Sequence, residues 1–290
     1  MMTLKMKSLA TAAAAVALGL GMASSAHALQ YNVTLYDTGT TSNFANWTVV
    51  DGGLGDADGS VNNSISLSLA AANGGSLPGW LTGYGVTGSL AGVTDTASSS
   101  FLYTSSSLVN NQTGTTVRAF VVVSDDGNTA PRNMVQETGS GTFAGTLTGA
   151  GINLYYYDDP ANGLPISTPL ADIGAFNTFV GNLNLAGASG TAGNQTHSYS
   201  YTPTLGNESF SFNDPASLLA VPDTSTFAMS LIFDFTLEDG GQLISRGQSM
   251  TKTEAVPEPM TMSLLGAGLV GLGAARRRKA KAKPQADAQA

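Results

Sequence analysis

Between Phe227 and Leu237 the chain alternates without a break: Phe227, Met229, Leu231, Phe233, Phe235 and Leu237 are large and apolar, and Ala228, Ser230, Ile232, Asp234, Thr236 and Glu238 alternate with them. A period of two gathers all six apolar side chains on one face of a strand, whereas a helix would scatter them around its cylinder. Such a strand must cover its apolar face with a second layer of structure. The stretch therefore predicts a central strand whose odd-numbered residues line the core and whose even-numbered face is mostly solvated. On that reading, replacing Phe233 with Ala is costly and replacing Asp234 is cheap.

Similar short runs recur from Leu29 onward, among them YNVTLYD, NWTVVDGG, SISLSLAAANGG, TTVRAFVVVSDDGN, INLYYYDDPANG and SYSYTP, each bounded by Gly, Asn, Asp or Pro. EDGG (Glu238–Gly241) predicts a hairpin leading into QLISRGQSMT, and SDDGN (Ser124–Asn128) carries an Asp-Gly turn of the same type. No segment keeps a helical period. The pattern predicts an all-β protein, an antiparallel β-sandwich of jelly-roll or Ig-like type, with a barrel as the alternative. Stretches 51–115 and 181–200 are rich in Ser, Thr, Gly and Asn, but no fixed-period repeat emerges from them.

The net charge of −8 conceals a sharp partition. Within 29–253 the only bases are Arg118, Arg132, Arg246 and Lys252, far outnumbered by acids. So acidic a body lacks the electrostatic footprint that a phosphate backbone requires, which excludes nucleic acid as a partner class and leaves cations or neutral polymers. The chain has no cysteine, hence neither disulfides nor thiolate metal sites.

Little in this body reads as catalytic machinery, and no catalytic residue is assigned. His197, in GNQTHSYSY, is the one histidine beyond the leader, and no G-x-S-x-G elbow accompanies it. Asp125-Asp126 and Asp158-Asp159 could serve a glycosidase, but neighbours on a strand point to opposite faces and both pairs sit beside turn residues. Asp51, Asp56 and Asp58, on the glycine-rich loop DGGLGDADGS, are candidate calcium ligands, since hard carboxylate oxygens suit that ion; Asx turns are the competing explanation. Trp47, Trp80 and Tyr155-Tyr156-Tyr157 could stack on sugar rings, or could simply fill the core. The N-x-S/T triplets at Asn32, Asn46, Asn62, Asn111, Asn194 and Asn207 are expected by chance in a chain this rich in Asn and Thr.

The termini say more. Lys5 and Lys7, an apolar run from about Leu9 to Met22, and the small-x-small triplet Ala26-His27-Ala28 make a secretory signal peptide, residues 1–28, cleaved after Ala28 and handled by the Sec translocon. At the other end, Pro257 and Pro259 forbid a continuous helix or inner strand through Val256-Pro257-Glu258-Pro259, so this tetrapeptide is an extended, accessible joint. Met260–Ala275 then carries no charge and spans about 24 Å as a helix, marginal for a bilayer core of about 30 Å. Arg276, Arg277, Arg278 and Lys279 act as a stop-transfer cluster that leaves the tail in the cytoplasm. Ala267, Gly271 and Ala275 recur every four residues, as chance allows in a run rich in Gly and Ala.

Motif, apolar helix and basic cluster, in this order and position, resemble the PEP-CTERM sorting signal of Gram-negative bacteria over about Ala255 to Lys279. The resemblance implies recognition by an exosortase, a membrane cysteine transpeptidase-like enzyme, with cleavage near the proline motif and export to the surface, often in bacteria that make extracellular polysaccharide. The extension Ala280–Ala290 departs from the family pattern, whose members stop soon after the arginines. The expected organisation is signal peptide 1–28, extracytoplasmic β-rich domain 29–253, sorting signal 254–279 and cytoplasmic tail 280–290. The expected role is that of a non-enzymatic surface or matrix protein, transiently anchored in the inner membrane and associated with exopolysaccharide. A carbohydrate- or calcium-binding module and a secreted glycoside hydrolase using paired carboxylates are the alternatives.

Overall fold

The computed structural model describes residues 29–254 except 88–89, 96–98, 105–106, 130–131, 167–169, 184–188, 191–192, 205, 224–225 and 246–248. Ala26 and Ala28, the joint Val256–Pro259, the apolar run after it and the basic cluster Arg276–Lys279 lie outside the described residues. Among the described residues no helix is long and apolar enough to cross a membrane.

Along the chain the strands are β1 (Gln30–Asp37), β2 (Phe44–Val50), β3 (Ser64–Ser66), β4 (Tyr84–Thr87), β5 (Leu90–Asp95), β6 (Ser99–Thr104), β7 (Ser107–Asn111), β8 (Val117–Asn128), β9 (Arg132–Gly145), β10 (Gly151–Asp159), β11 (Ser189–Gly190), β12 (Gly193–Tyr201), β13 (Asn207–Asp223), β14 (Phe227–Leu237), β15 (Gly241–Ser245) and β16 (Ser249–Glu254). A short helix α1 (Leu69–Ala72), a single 3-10 turn (Gly79–Leu81) and a longer helix α2 (Ile173–Asn182) complete the regular elements among the described residues. The first sheet runs β11-β12-β10-β14-β8-β1-β2. The second branches on β9: one edge takes β13, and the other takes β16 and β15 end to end, continuing through β6, β5 and β3 on one arm and through β7 and β4 on the other. The pairings are antiparallel, and the two sheets face each other across one apolar core that joins Tyr31, Val123, Leu154 and Leu231 to Ile65, Leu102, Phe143 and Leu243. This is the antiparallel sandwich that the alternation predicts, and its open edges exclude a closed barrel.

β14 lies at the centre of the first sheet between β10 and β8, and its odd-numbered residues do face the core. Its other face is not solvated, however: Ala228, Ser230, Ile232 and Asp234 are buried too. Over Ile232 the cover is α2, which lies across part of the outer face of the sheet and brings Phe176 and Phe179 onto Phe120, Val122, Tyr157 and Ile232, and over Asp234 it is the Arg118 side chain. Phe120 meets Phe176 edge-on at 5.3 Å and Phe179 at 6.1 Å between ring centroids, the geometry that ring quadrupoles prefer. Asp172 caps this helix, its carboxylate accepting from the Ala175 amide at 2.8 Å. Phe233, expected to be fully buried, is only half-buried because it lines an apolar cavity of about 80 Å³ between the sheets.

Two turn expectations also change. Asp126-Gly127 makes no hairpin; it is a bulge inside β8, where the register against β14 shifts between Phe227 and Met229 and Gly127 takes φ 74°. Glu238–Gly241 reverses the chain, but β15 does not pair with β14: it joins the second sheet beside β9 and β7, so the turn arches between layers. The crossing is tight, since a Cβ on Gly145 (φ 79°) would collide with the Gly240 carbonyl. The Asn111 side chain ties it together by donating to the carbonyls of Leu237 (2.8 Å) and Thr115 (2.7 Å).

Strand directions give the sandwich two distinct ends. Leu29, Val50, Asn128, Asp159 and Phe227 lie at one end of the first sheet, and Met134, Ser99 and Glu254 at the same end of the second. Asp37, Val117, Gly151 and Leu237 lie at the other, with Gly145 and Gly241. β16, the last strand, is an inner one: Glu254 pairs with Ser99 on one side and Met134 on the other.

Candidate functional site

α2 covers only part of the outer face of the first sheet. Beside it lies an open recess of about 560 Å³ whose walls include Tyr36, Thr38, Arg118, Asn153, Asp234 and Thr236, with the backbone of Gly149–Gly151 at its rim. Arg118 on β8 and Asp234 on β14 are diagonal neighbours, because Thr236 pairs with Arg118 and Asp234 with Phe120. The guanidinium forks onto the carboxylate, Nε to Oδ1 and Nη2 to Oδ2, both at 2.7 Å. Its Nη1 donates to the Tyr36 hydroxyl at 2.8 Å, and Arg118 Cζ stands 5.9 Å from the centre of that ring.

Asp234, at 5% exposure, is held almost entirely by this pair, while Arg118 keeps about a third of its side chain in contact with solvent. The Asp234 hydrogen bond raises the Arg118 pKa above its ordinary value against the opposing effect of burial. Burial, then the negative charge of Asp234, raises the Tyr155 hydroxyl above its usual range, with Arg118 opposing. Among the described residues three of the five guanidinium N–H groups are committed, and the charged side chains lining the recess, Arg118 and Asp234, balance. Asp234→Ala is expected to cost about 3 kcal/mol, since it strips a partly buried cation of its two carboxylate bonds and leaves only the one to Tyr36; Asp234→Asn should cost less, and urea unfolding compares them.

The residues singled out in the sequence do not converge here, Tyr155 at its flank excepted. Asp51, Asp56 and Asp58 share one loop, but their carboxylates accept from that loop's own amides: Asp51 from Asn62 (3.0 Å) and Asn63 (2.7 Å), Asp56 from Gly52 and Ser66 (both 3.0 Å), Asp58 from Ser60 (2.8 Å). Among the described residues no group of three or more His, Cys, Asp or Glu side chains is placed to hold a metal ion. Asp125 and Asp158 are buried strand residues that flank Met229 from β8 and β10, so the turn explanation fails for them. It holds for Asp159, whose carboxylate accepts from Ala161 (2.9 Å) and Gly163 (3.1 Å). The His197 side chain lies outside the described residues.

Trp47, Tyr156 and Tyr157 are core residues with no face to offer a sugar, and Trp80 is half-buried against the core. Of the N-x-S/T asparagines, Asn32 and Asn111 are buried and hydrogen-bonded, which closes them to glycosylation in the folded domain. The Arg118–Asp234 pair went unnoticed because its members lie 116 positions apart. The signal available was Arg118 itself, one of so few cations in an acidic body, on a strand beside a central strand that carries a lone Asp on its even face.

No curated protein matches the chain. Among solved structures it resembles a carbohydrate-binding module in complex with β-1,4-galactotriose, at 9% identity and TM-score 0.25 over 59% of this chain and 88% of that one. A family 11 carbohydrate-binding module from Clostridium thermocellum, bound to a mixed-linked tetrasaccharide, matches at 10% identity and TM-score 0.19 over 61% and 91%. The enzymatically active domain of bacteriophage CBA120 tailspike protein 4 matches at 13% identity and TM-score 0.23 over 60% of this chain and 20% of that one. Superpositions this loose leave the ligands and activities with those proteins.

The C-terminal segment is decisive where the domain is not: it defines an exported protein, one sorted to the cell surface or the extracellular space. Residues 255–279 match the PEP-CTERM protein-sorting motif, so the chain carries the address that an exosortase processes.

Proposed function

We propose that this protein is a surface or extracellular-matrix component that works by holding a ligand, without turnover, and associates with exopolysaccharide. The observation that carries the reading is the sorting motif joined directly to an inner strand of the sandwich: β16 ends at Glu254 and the motif begins at Ala255. On this reading the signal peptide starts export, the apolar helix anchors the chain transiently, and exosortase cleavage frees the domain. The Arg118–Asp234 recess supports a binding role. It is internally charge-neutral, it offers hydroxyl, amide and guanidinium groups, and the carboxylate in it is bridged on both oxygens by an arginine. Such a lining suits a neutral, hydroxyl-bearing polymer better than a polyanion or polycation.

The test takes the mature protein released from producing cells through affinity electrophoresis against neutral polysaccharides and alginate, alongside a glycoside hydrolase panel. Retardation by a neutral polymer without release of reducing sugar is the expected result, weakened by Asn153→Ala. Turnover of any polymer would replace this reading with a hydrolase.

A further inference from the structure

We infer that the 50–61 loop is a lipid-contact tip, resting on the outer surface of the bilayer for as long as the sorting helix holds the chain; the inference rests on the anchoring proposed above. The loop leaves β2 at the end of the sandwich where the chain also enters and leaves, and its Asp51 amide donates to the Leu29 carbonyl at 3.2 Å. Five residues, 255–259, separate Glu254 from the apolar run at Met260, a reach of at most about 22 Å. That end of the domain is therefore confined near the membrane. The Arg118–Asp234 recess lies toward the opposite end.

At this end the surface is apolar where it should not be. Val61 is 83% exposed, Leu54 71% and Val50 47%, three of the four large hydrophobic side chains exposed among the described residues. The exposure belongs to a built loop and is not slack: the Asp51 and Asp56 carboxylates are turned inward onto backbone amides, and Val61 lies against Gly52, where an added Cβ would come within 2.5 Å of its Cγ2. Asp51 and Asp56 are thus engaged within the loop, while Asp58 beside them is exposed.

Two or three small apolar side chains bind a bilayer weakly on their own, but a short tether raises their local concentration to roughly millimolar, enough to keep a weak contact occupied. Cleavage of the tether abolishes that advantage, so the same tip lets the domain go. Lipid is the occupant that the tether points to, since the anchor keeps this end of the domain at the bilayer surface for as long as the chain is uncleaved.

Since the chain has no cysteine, Asp58→Cys in the loop and Thr41→Cys at the far end each carry a single thiol. The full chain, exported in cells lacking exosortase, is labelled at these thiols with a polarity-sensitive fluorophore, and right-side-out membrane vesicles are supplemented with spin-labelled phosphatidylcholine. Blue-shifted emission and strong quenching at position 58, little of either at 41, and a severalfold loss of the quenching at 58 on adding Leu54→Ser and Val61→Ser are expected. Equal quenching at both positions in a chain still retained by the membrane would overturn the tip alone. Extraction of the chain by carbonate would overturn the anchoring and the tip with it. Quenching or blue shift at 58 that appears only in membranes containing exosortase would assign the contact to protein and overturn the lipid assignment.

Discussion

Replacing Pro257, Glu258 and Pro259 together with alanine is expected to stop processing and leave a full-length, membrane-held precursor. The reason is conformational as much as chemical. On the proposed reading, proline keeps helix out of the joint whereas alanine is the best helix former, so the variant would let a helix form through 257–259 and withdraw the cleavage segment from its reader. Deleting Arg276–Lys279 should act earlier, lowering retention before processing because nothing then halts transfer. Mass spectrometry of the C-terminal peptide of the released protein reads both. A mature form that still contained Met260–Ala290 in cells with active exosortase would make the segment a permanent anchor, and normal release of the alanine variant would show that the triplet is not the address.

The second large effect is expected at Phe120. Truncation to Ala should cost about 3–5 kcal/mol, since the ring is fully buried and its removal empties the contact that seats α2 on the sheet. Phe233→Ala should cost less, because that ring already borders a cavity and gives up fewer contacts when removed. Urea unfolding followed by circular dichroism measures both. The reverse order would mean that α2 is held to the sheet by something other than this aromatic cluster.

Much of the β architecture was legible because period-two alternation is a local signal. Phe227–Leu237 declared itself a strand, and six apolar side chains on one face implied a partner layer. What the alternation could not show was that the other face would be covered as well, since the cover comes from a segment more than forty residues away. That segment, IGAFNTFVGN, spaces Phe176, Phe179 and Val180 as a helix would and follows a capping Asp172, but Gly174, Gly181 and two asparagines blur the period over barely three turns. The Glu-Asp-Gly-Gly signal marked a real chain reversal, whereas the Asp-Gly signal marked a bulge within a continuing strand and not the turn it predicts. Their consequences, a bulge and an arch, depend on which strand lies alongside, and that is tertiary information. The recess is the extreme case: its ion pair exists only because antiparallel pairing sets β8 beside β14 in one register. The address at the C-terminus was readable in full, since an enzyme must read it there as a linear string.

The inner position of β16 also has a mechanical meaning. A pull on the chain beyond Glu254, whether from the anchor or from the machinery that moves it, acts along the axis of a strand hydrogen-bonded on both sides to β6 and β9. The load falls in shear on two ladders at once, so rupture requires many bonds to fail together, whereas an edge strand pulled crosswise unzips one bond at a time. Tension on the tether is therefore borne by the branched sheet as a whole.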